Sequence, residues 1–181
     1  MLSSVVHGLS AVAILGATLA PGAGSSPSSG NPGDPDTTVT FTVTTGALSM
    51  TAPVASNLGS GAPGTSIVSA LGAVTVTDDR ALLSAAWTAT AASTDFTTGG
   101  ATAPETIPAT DVGYDPGSIT TTGTITATPT AITLSGTAQP VVTGTAGVGD
   151  NTASWNPTLT VSVPASAVGG AYTGTLIESV S

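Results

Sequence analysis

Cysteine is absent from the 181 residues, lysine and arginine together supply one residue, and histidine supplies one. Without thiols there is no disulfide framework, thiolate metal site, cysteine nucleophile or iron–sulfur cluster, so stability rests on packing and hydrogen bonding. The single histidine, His7, falls in an N-terminal stretch that reads as a removable leader, which leaves the rest of the chain without an imidazole. Ser-His-Asp catalysis and histidine-ligated metals are excluded with it. One cation, Arg80, against ten acidic residues gives a net charge of −9. Such a surface cannot neutralise phosphates, so neither nucleic acid nor anionic lipid is an expected partner. Aromatic residues make up 3% of the chain and charged residues 6%, and no cofactor is implied by what is left.

What is abundant is threonine, roughly a fifth of the chain, with valine beside it, a strand-forming composition. From Leu9 to Ala20 the chain reads LSAVAILGATLA, too short an apolar run to span a bilayer but suited to the core of a secretory signal. Small residues follow, and we expect residues 1–25 to be the signal peptide. Residues 26–36 close a Pro/Gly/Ser-rich tract that begins at Pro21 and offers nothing apolar to bury, a linker by composition. The folded domain is expected over 37–181, with export to the cell surface and no membrane span in the mature form.

Within it, TTVTFTVTT places Val39, Phe41 and Val43 on one face and threonines on the other, the period of a half-buried strand. Leu48 with Met50 begins the next. Further strands are expected at Val74 to Thr77, Trp87 to Ala91, Gly117 to Thr128, Ala131 to Leu134, Val141 to Thr143, Ser154 to Val163 and Tyr172 to Val180, with turn residues between nearly all of them. In the segment from Ser154, Trp155, Leu159, Val161 and Val163 share a face, and Pro157 implies an edge or a bulge. Helical spacing is not sustained anywhere. The expected fold is all-β, an antiparallel β-sandwich, immunoglobulin-like in the loose sense.

Asp78, Asp79 and Arg80 form a charged turn. Its expected role is structural: an ion pair, or a carboxylate bonding turn amides, that fixes the loop ahead of the Trp87 strand. Asp95, Asp111, Asp115 and Asp150 are scattered without the alternating spacing of a calcium loop, so solvated carboxylates are expected and no metal site is assigned. Glu105, Glu178 and the aspartates are the carboxylates that glycoside hydrolysis could use, yet nothing in their spacing selects a pair. Gly99-Gly100 and Gly169-Gly170 are turn chemistry, because no helix or lysine follows them. No catalytic residue is assigned, and the protein is not expected to be an enzyme.

The segment VTVTDDRALLSAAWTATAASTDFTTG, Val74 to Gly99, resembles the WxL region of cell-wall-associated surface proteins of Gram-positive bacteria. On that resemblance Asp78 and Arg80 match an acidic–basic turn, Trp87 the first motif tryptophan, and Asp95 with Phe96 the stretch after it. Ile107-Pro108-Ala109 with Tyr114 is similar to the middle segment, and VPASAVGGAYTGTLIESVS to the closing strand pair. The first motif reads Trp87-Thr88-Ala89 here, and Glu178 stands where the second motif tryptophan would fall, so the chain looks like a divergent, actinobacterial-type relative lacking the second motif.

The resemblance implies a secreted, non-catalytic domain held non-covalently at the wall, with peptidoglycan or a related surface glycan as partner. In that reading Trp87 stays partly exposed and stacks on sugar faces, helped by the hydroxyl of Thr88. The alternative for Trp87, as for Trp155, is simple core packing between two sheets. A different function class is also open: a structural or adhesive protein that self-associates, or pairs with another surface protein, through edge strands.

Overall fold

A computed structural model describes residues 37–181; the expected leader with His7, and the linker, lie outside the described residues. Among those described, β-branched residues and frequent turn formers give twelve strands: β1 (Leu48–Thr51), β2 (Ser66–Ala70), β3 (Val74–Ser93), β4 (Phe96–Thr97), β5 (Thr106–Ile107), β6 (Val112–Asp115), β7 (Thr120–Thr122), β8 (Thr126–Pro129), β9 (Ile132–Thr133), β10 (Gln139–Trp155), β11 (Thr158–Ser162) and β12 (Leu176–Val180). The two irregular helical pieces, Ala103–Glu105 and Ala109–Asp111, are single 3-10 turns.

The strands form a six-stranded sheet, a four-stranded sheet and a two-stranded ribbon, all antiparallel and in a sandwich-like arrangement, so the fold is all-β as expected. In the larger sheet β3 and β10 are the long central pair. On its other edge β3 carries β1 at one end and β12 at the other, and β10 carries β7 and β8. The smaller sheet runs β2-β11-β6-β9. Trp87, Trp155, Tyr114, Leu134, Leu159 and a set of valines pack together in the core.

Several sequence expectations change: Val141 to Thr143 belongs to the long β10, the strand expected from Tyr172 begins at Leu176, and four further differences bear on the architecture. The first concerns β3, where Val74 to Thr77 and Trp87 to Ala91 are one strand of 20 residues. Val74, Val76 and Asp78 are buried at even positions, whereas Ala85, Trp87, Ala89 and Ala91 are buried at odd ones. One extra residue must be absorbed between them, since a slip of one turns every side chain to the opposite face. Ala81 sits there with a left-handed φ of 53°. Opposite it, β10 changes parity in the same way around Ala146, φ 57°. Two apparent strands are thus one bulged strand.

The second concerns Ser154 to Val163. Trp155 ends β10 in the larger sheet and Thr158 opens β11 in the smaller one, with Asn156 and Pro157 making the crossing. The inward residues do share the core, but from its two opposite walls. Pro157 has no N–H to place in a ladder; its carbonyl accepts from Leu71 N–H at 2.8 Å. Third, Gly117 to Thr128 is interrupted by a turn at Gly123, φ 77°, which separates β7 from β8.

The fourth is the segment 37–45. It adopts no strand, and Val39, Phe41 and Val43 are 79%, 87% and 73% exposed. An alternating apolar face is a strand only when a neighbouring strand satisfies its backbone, and none does so here among the described residues. The compact unit spans Thr44–Ser181, and its first anchored backbone group is Gly46, whose N–H donates to the Asp79 carbonyl at 2.6 Å.

Candidate functional site

β3 carries Trp87 inward, directly opposite Gly144 of β10. A Cβ at Gly144 would fall inside the indole, against Cε2, Cζ2 and Nε1, so glycine is what lets the ring lie flat on the neighbouring strand. Trp87 is 3% exposed, as is Trp155. A ring closed off to this degree has no face on which a sugar can stack, and the stacking role expected of Trp87 is corrected to core packing. Its Nε1–H has no hydrogen-bond partner among the described residues. Thr88 points to the other face and is half-buried, and its backbone is locked by paired bonds to Ser181, 2.8 Å and 3.1 Å.

The charged turn is a tight ion pair within the strand. Asp78 follows Val74 and Val76 on the inward face and is fully buried. Arg80 Nε donates to Asp78 Oδ1 and Nη2 to Oδ2, both at 2.8 Å, while the Arg80 backbone N–H donates to Oδ1 at 3.1 Å. Nη2 also donates to the Ala86 carbonyl at 2.9 Å and so bridges the bulge. The guanidinium bonds hold the Asp78 carboxyl below the usual carboxylate range, and the same bonds raise Arg80. Asp79 is exposed and contributes backbone bonds to Gly46 and Ala47.

A second inward carboxylate, half-buried, has no cation beside it. On β12 the half-buried positions are Leu176, Glu178 and Val180, so Glu178 sits on the inward face between two apolar neighbours. Tyr114, 1% exposed on β6, donates its hydroxyl hydrogen to Glu178 Oε1 at 2.7 Å and accepts from Trp155 Nε1 at 3.1 Å. Desolvation pushes Glu178 upward against the lowering effect of the Tyr114 bond, and pushes Tyr114 far upward. The WxL resemblance picks out Tyr114 and Glu178 separately; the fold joins them with Trp155. The carboxylate at an inward position of an alternating strand was the signal that could have flagged this network.

Three further carboxylates do local work. Asp95 Oδ1 accepts from Ala109 N–H at 2.8 Å, Asp115 Oδ1 from Gly117 N–H at 2.9 Å, and Glu105 Oε2 from the amide and hydroxyl of Thr102. The Thr102 hydroxyl and the amides of Thr102 and Gly100 hold Glu105 below its ordinary range. Among the described residues no three carboxylates converge as a metal site would require.

One side of the sandwich is open. Between β2 at the edge of the smaller sheet and β12 at the edge of the larger one run two adjoining clefts, about 530 and 470 Å³, crossed by the strandless stretch 52–63. The first is floored by Ile67, Val161 and Val163 and flanked by half-buried Phe96 and Tyr172. The second is walled by Leu71, Leu159, Leu176 and, at its polar end, Glu178. Phe96 and Leu58 border both. Tyr172 directs its hydroxyl at the carbonyls of Val168 and Pro104, 2.9 and 3.1 Å away, and its ring stands beside Gly169 and Gly170. The groove is apolar, with no cation and few titratable groups, so its chemistry is that of packing and strand pairing.

No family model, no curated protein and no solved structure matches this chain.

Proposed function

We propose that the chain is an exported, non-catalytic structural module of the cell surface that works by pairing with a protein strand along the open side of its sandwich. The observation that carries this reading is the apolar groove between the edges of the two sheets, bordered by a strand whose outer backbone groups have no ladder partner among the described residues. The Thr65 carbonyl accepts from Val163 N–H, and Leu71 N–H donates to the Pro157 carbonyl. By the alternation of an antiparallel ladder, the N–H and C=O groups of Ser66, Val68 and Ala70 therefore face away from β11. An edge of that kind is a template for an added strand.

A photo-crosslinking residue in place of Val68, 64% exposed on that edge, tests the reading in intact cells. A discrete protein adduct supports it, and adducts to glycan alone, or none, overturn it.

A second reading keeps the wall glycan as partner. It is favoured by Phe96 and Tyr172, half-exposed aromatics beside a glycine pair in the same groove, where a sugar ring could stack. Co-sedimentation with purified peptidoglycan sacculi, lost on Tyr172→Ala with folding intact, would establish it. Failure to pellet would remove it.

A further inference from the structure

We infer that the strand accepted by this groove is the segment 37–45 of a second copy of the same chain, so that copies join by donating a strand head to tail. The inference rests on the edge-pairing reading and adds the identity of the partner.

Donor and acceptor match in pattern. Residues 37–45 read TTVTFTVTT: β-branched at nearly every position, free of glycine and proline, and apolar at Val39, Phe41 and Val43 on one face only. All three are at least 73% exposed, and the segment has no ladder partner among the described residues. The acceptor needs that alternation. β2 turns Ile67 and Ser69 inward, Ile67 into the groove, and Ser66, Val68 and Ala70 outward. A strand laid on its free edge would likewise turn every second side chain over the groove and the threonines to solvent. The segment is about 30 Å of extended chain, enough to run the full length of β2.

Charge does not oppose the union, because the segment has none and Glu178 is the groove's one ionisable carboxylate. Since donor and acceptor are different surfaces, each joined copy still presents one of each, and the contact propagates into chains unless it closes into a ring.

Sedimentation velocity on the full chain tests this with two variants, each disabling one half. Phe41→Asp places a charge on the donor at an 87% exposed position. Val68→Pro removes an outward N–H of the acceptor without touching a β11 bond. The wild type is expected as species of several times the 17.1 kDa chain mass, with size rising with concentration. Each variant alone is expected at onefold mass, and an equimolar mixture of the two at twofold and no further, because one good donor meets one good acceptor. Thermal melts confirm that both variants are folded; should Val68→Pro melt early, Val68→Asp with Ala70→Asp replaces it. A wild type that stays at onefold mass, or variants that assemble as it does, overturns the proposal. A crosslink from position 68 to a different protein would also overturn it while leaving the edge-pairing reading intact.

Discussion

The larger sheet turns two carboxylates inward, and they are held in opposite ways. At the bulged end, Asp78 is closed off from solvent but meets a guanidinium through two 2.8 Å bonds, and its ionised form is favoured. Near the groove, Glu178 meets a neutral phenol whose own hydroxyl is buried, and its ionised form is disfavoured. Burial penalises charge at both places; the difference is the partner. The chain has one cation, and it stands where the central strand changes face. Glu178 sits instead beside an open groove, where an added strand would alter its surroundings.

The comparison breaks most strongly at the ion pair. Arg80→Ala strands Asp78 without its cation and is expected to cost about 3 kcal/mol, the lower end for a buried pair because the Arg80 side chain is 29% exposed. Urea unfolding measures it, and a loss no larger than that of Asp79→Ala would mean that water can replace the guanidinium. Tyr114→Phe removes one hydroxyl that serves two partners, leaving Trp155 Nε1 and Glu178 without it; about 2 kcal/mol of stability should be lost by the same measurement.

Titration sharpens the contrast. The Glu178 pKa is raised on folding, so its ionised form burdens the folded state at neutral pH, and that burden fades as pH falls through the raised value toward the ordinary 4.5. Glu178→Gln keeps an acceptor for Tyr114 and drops the charge. It should therefore be more stable than wild type at pH 7 by about 1 kcal/mol, with the two converging near pH 4.5. The Asp78 pKa is lowered, so its contribution is complete above the ordinary 3.8 and is lost as pH falls below it. Stability curves of wild type and variant against pH test both signs; a Glu178→Gln advantage that grows on acidification would refute the assignment. The smallest effect belongs to the bulge itself. Ala81→Gly relieves a left-handed φ of 53° and should gain about 0.5 kcal/mol in a thermal melt after the added chain entropy of glycine is counted.

The sequence carried the strand content and much of the register. Alternation located strands at Leu48 with Met50, at Trp87 to Ala91 and within Ala131 to Leu134, where β9 covers Ile132–Thr133, because period-2 apolar spacing is a direct image of a half-buried strand. It divided β3 because Asp78, Asp79 and Arg80 read as a charged turn, and three charged residues in a row look alike in sequence whether the chain turns or bulges, as it does next to them at Ala81. β2 escaped notice, being short and built from serine, alanine and only two β-branched apolar residues. Residues 37–45 show the opposite failure: the best alternating pattern in the chain forms no strand, since pattern supplies a face and a neighbour must supply the hydrogen bonds.

By itself, then, the sequence determined an all-β chain without thiol chemistry and with a single basic residue, Arg80, since these follow from composition and from the two-residue repeat of an extended backbone. Tertiary structure alone decided that Trp87 lies flat over Gly144 inside the core, that Glu178 meets Tyr114 and Trp155, and that one side of the sandwich stays open. Those outcomes depend on which strands become neighbours and in what register, and pairing of residues dozens of positions apart leaves no local trace in the chain.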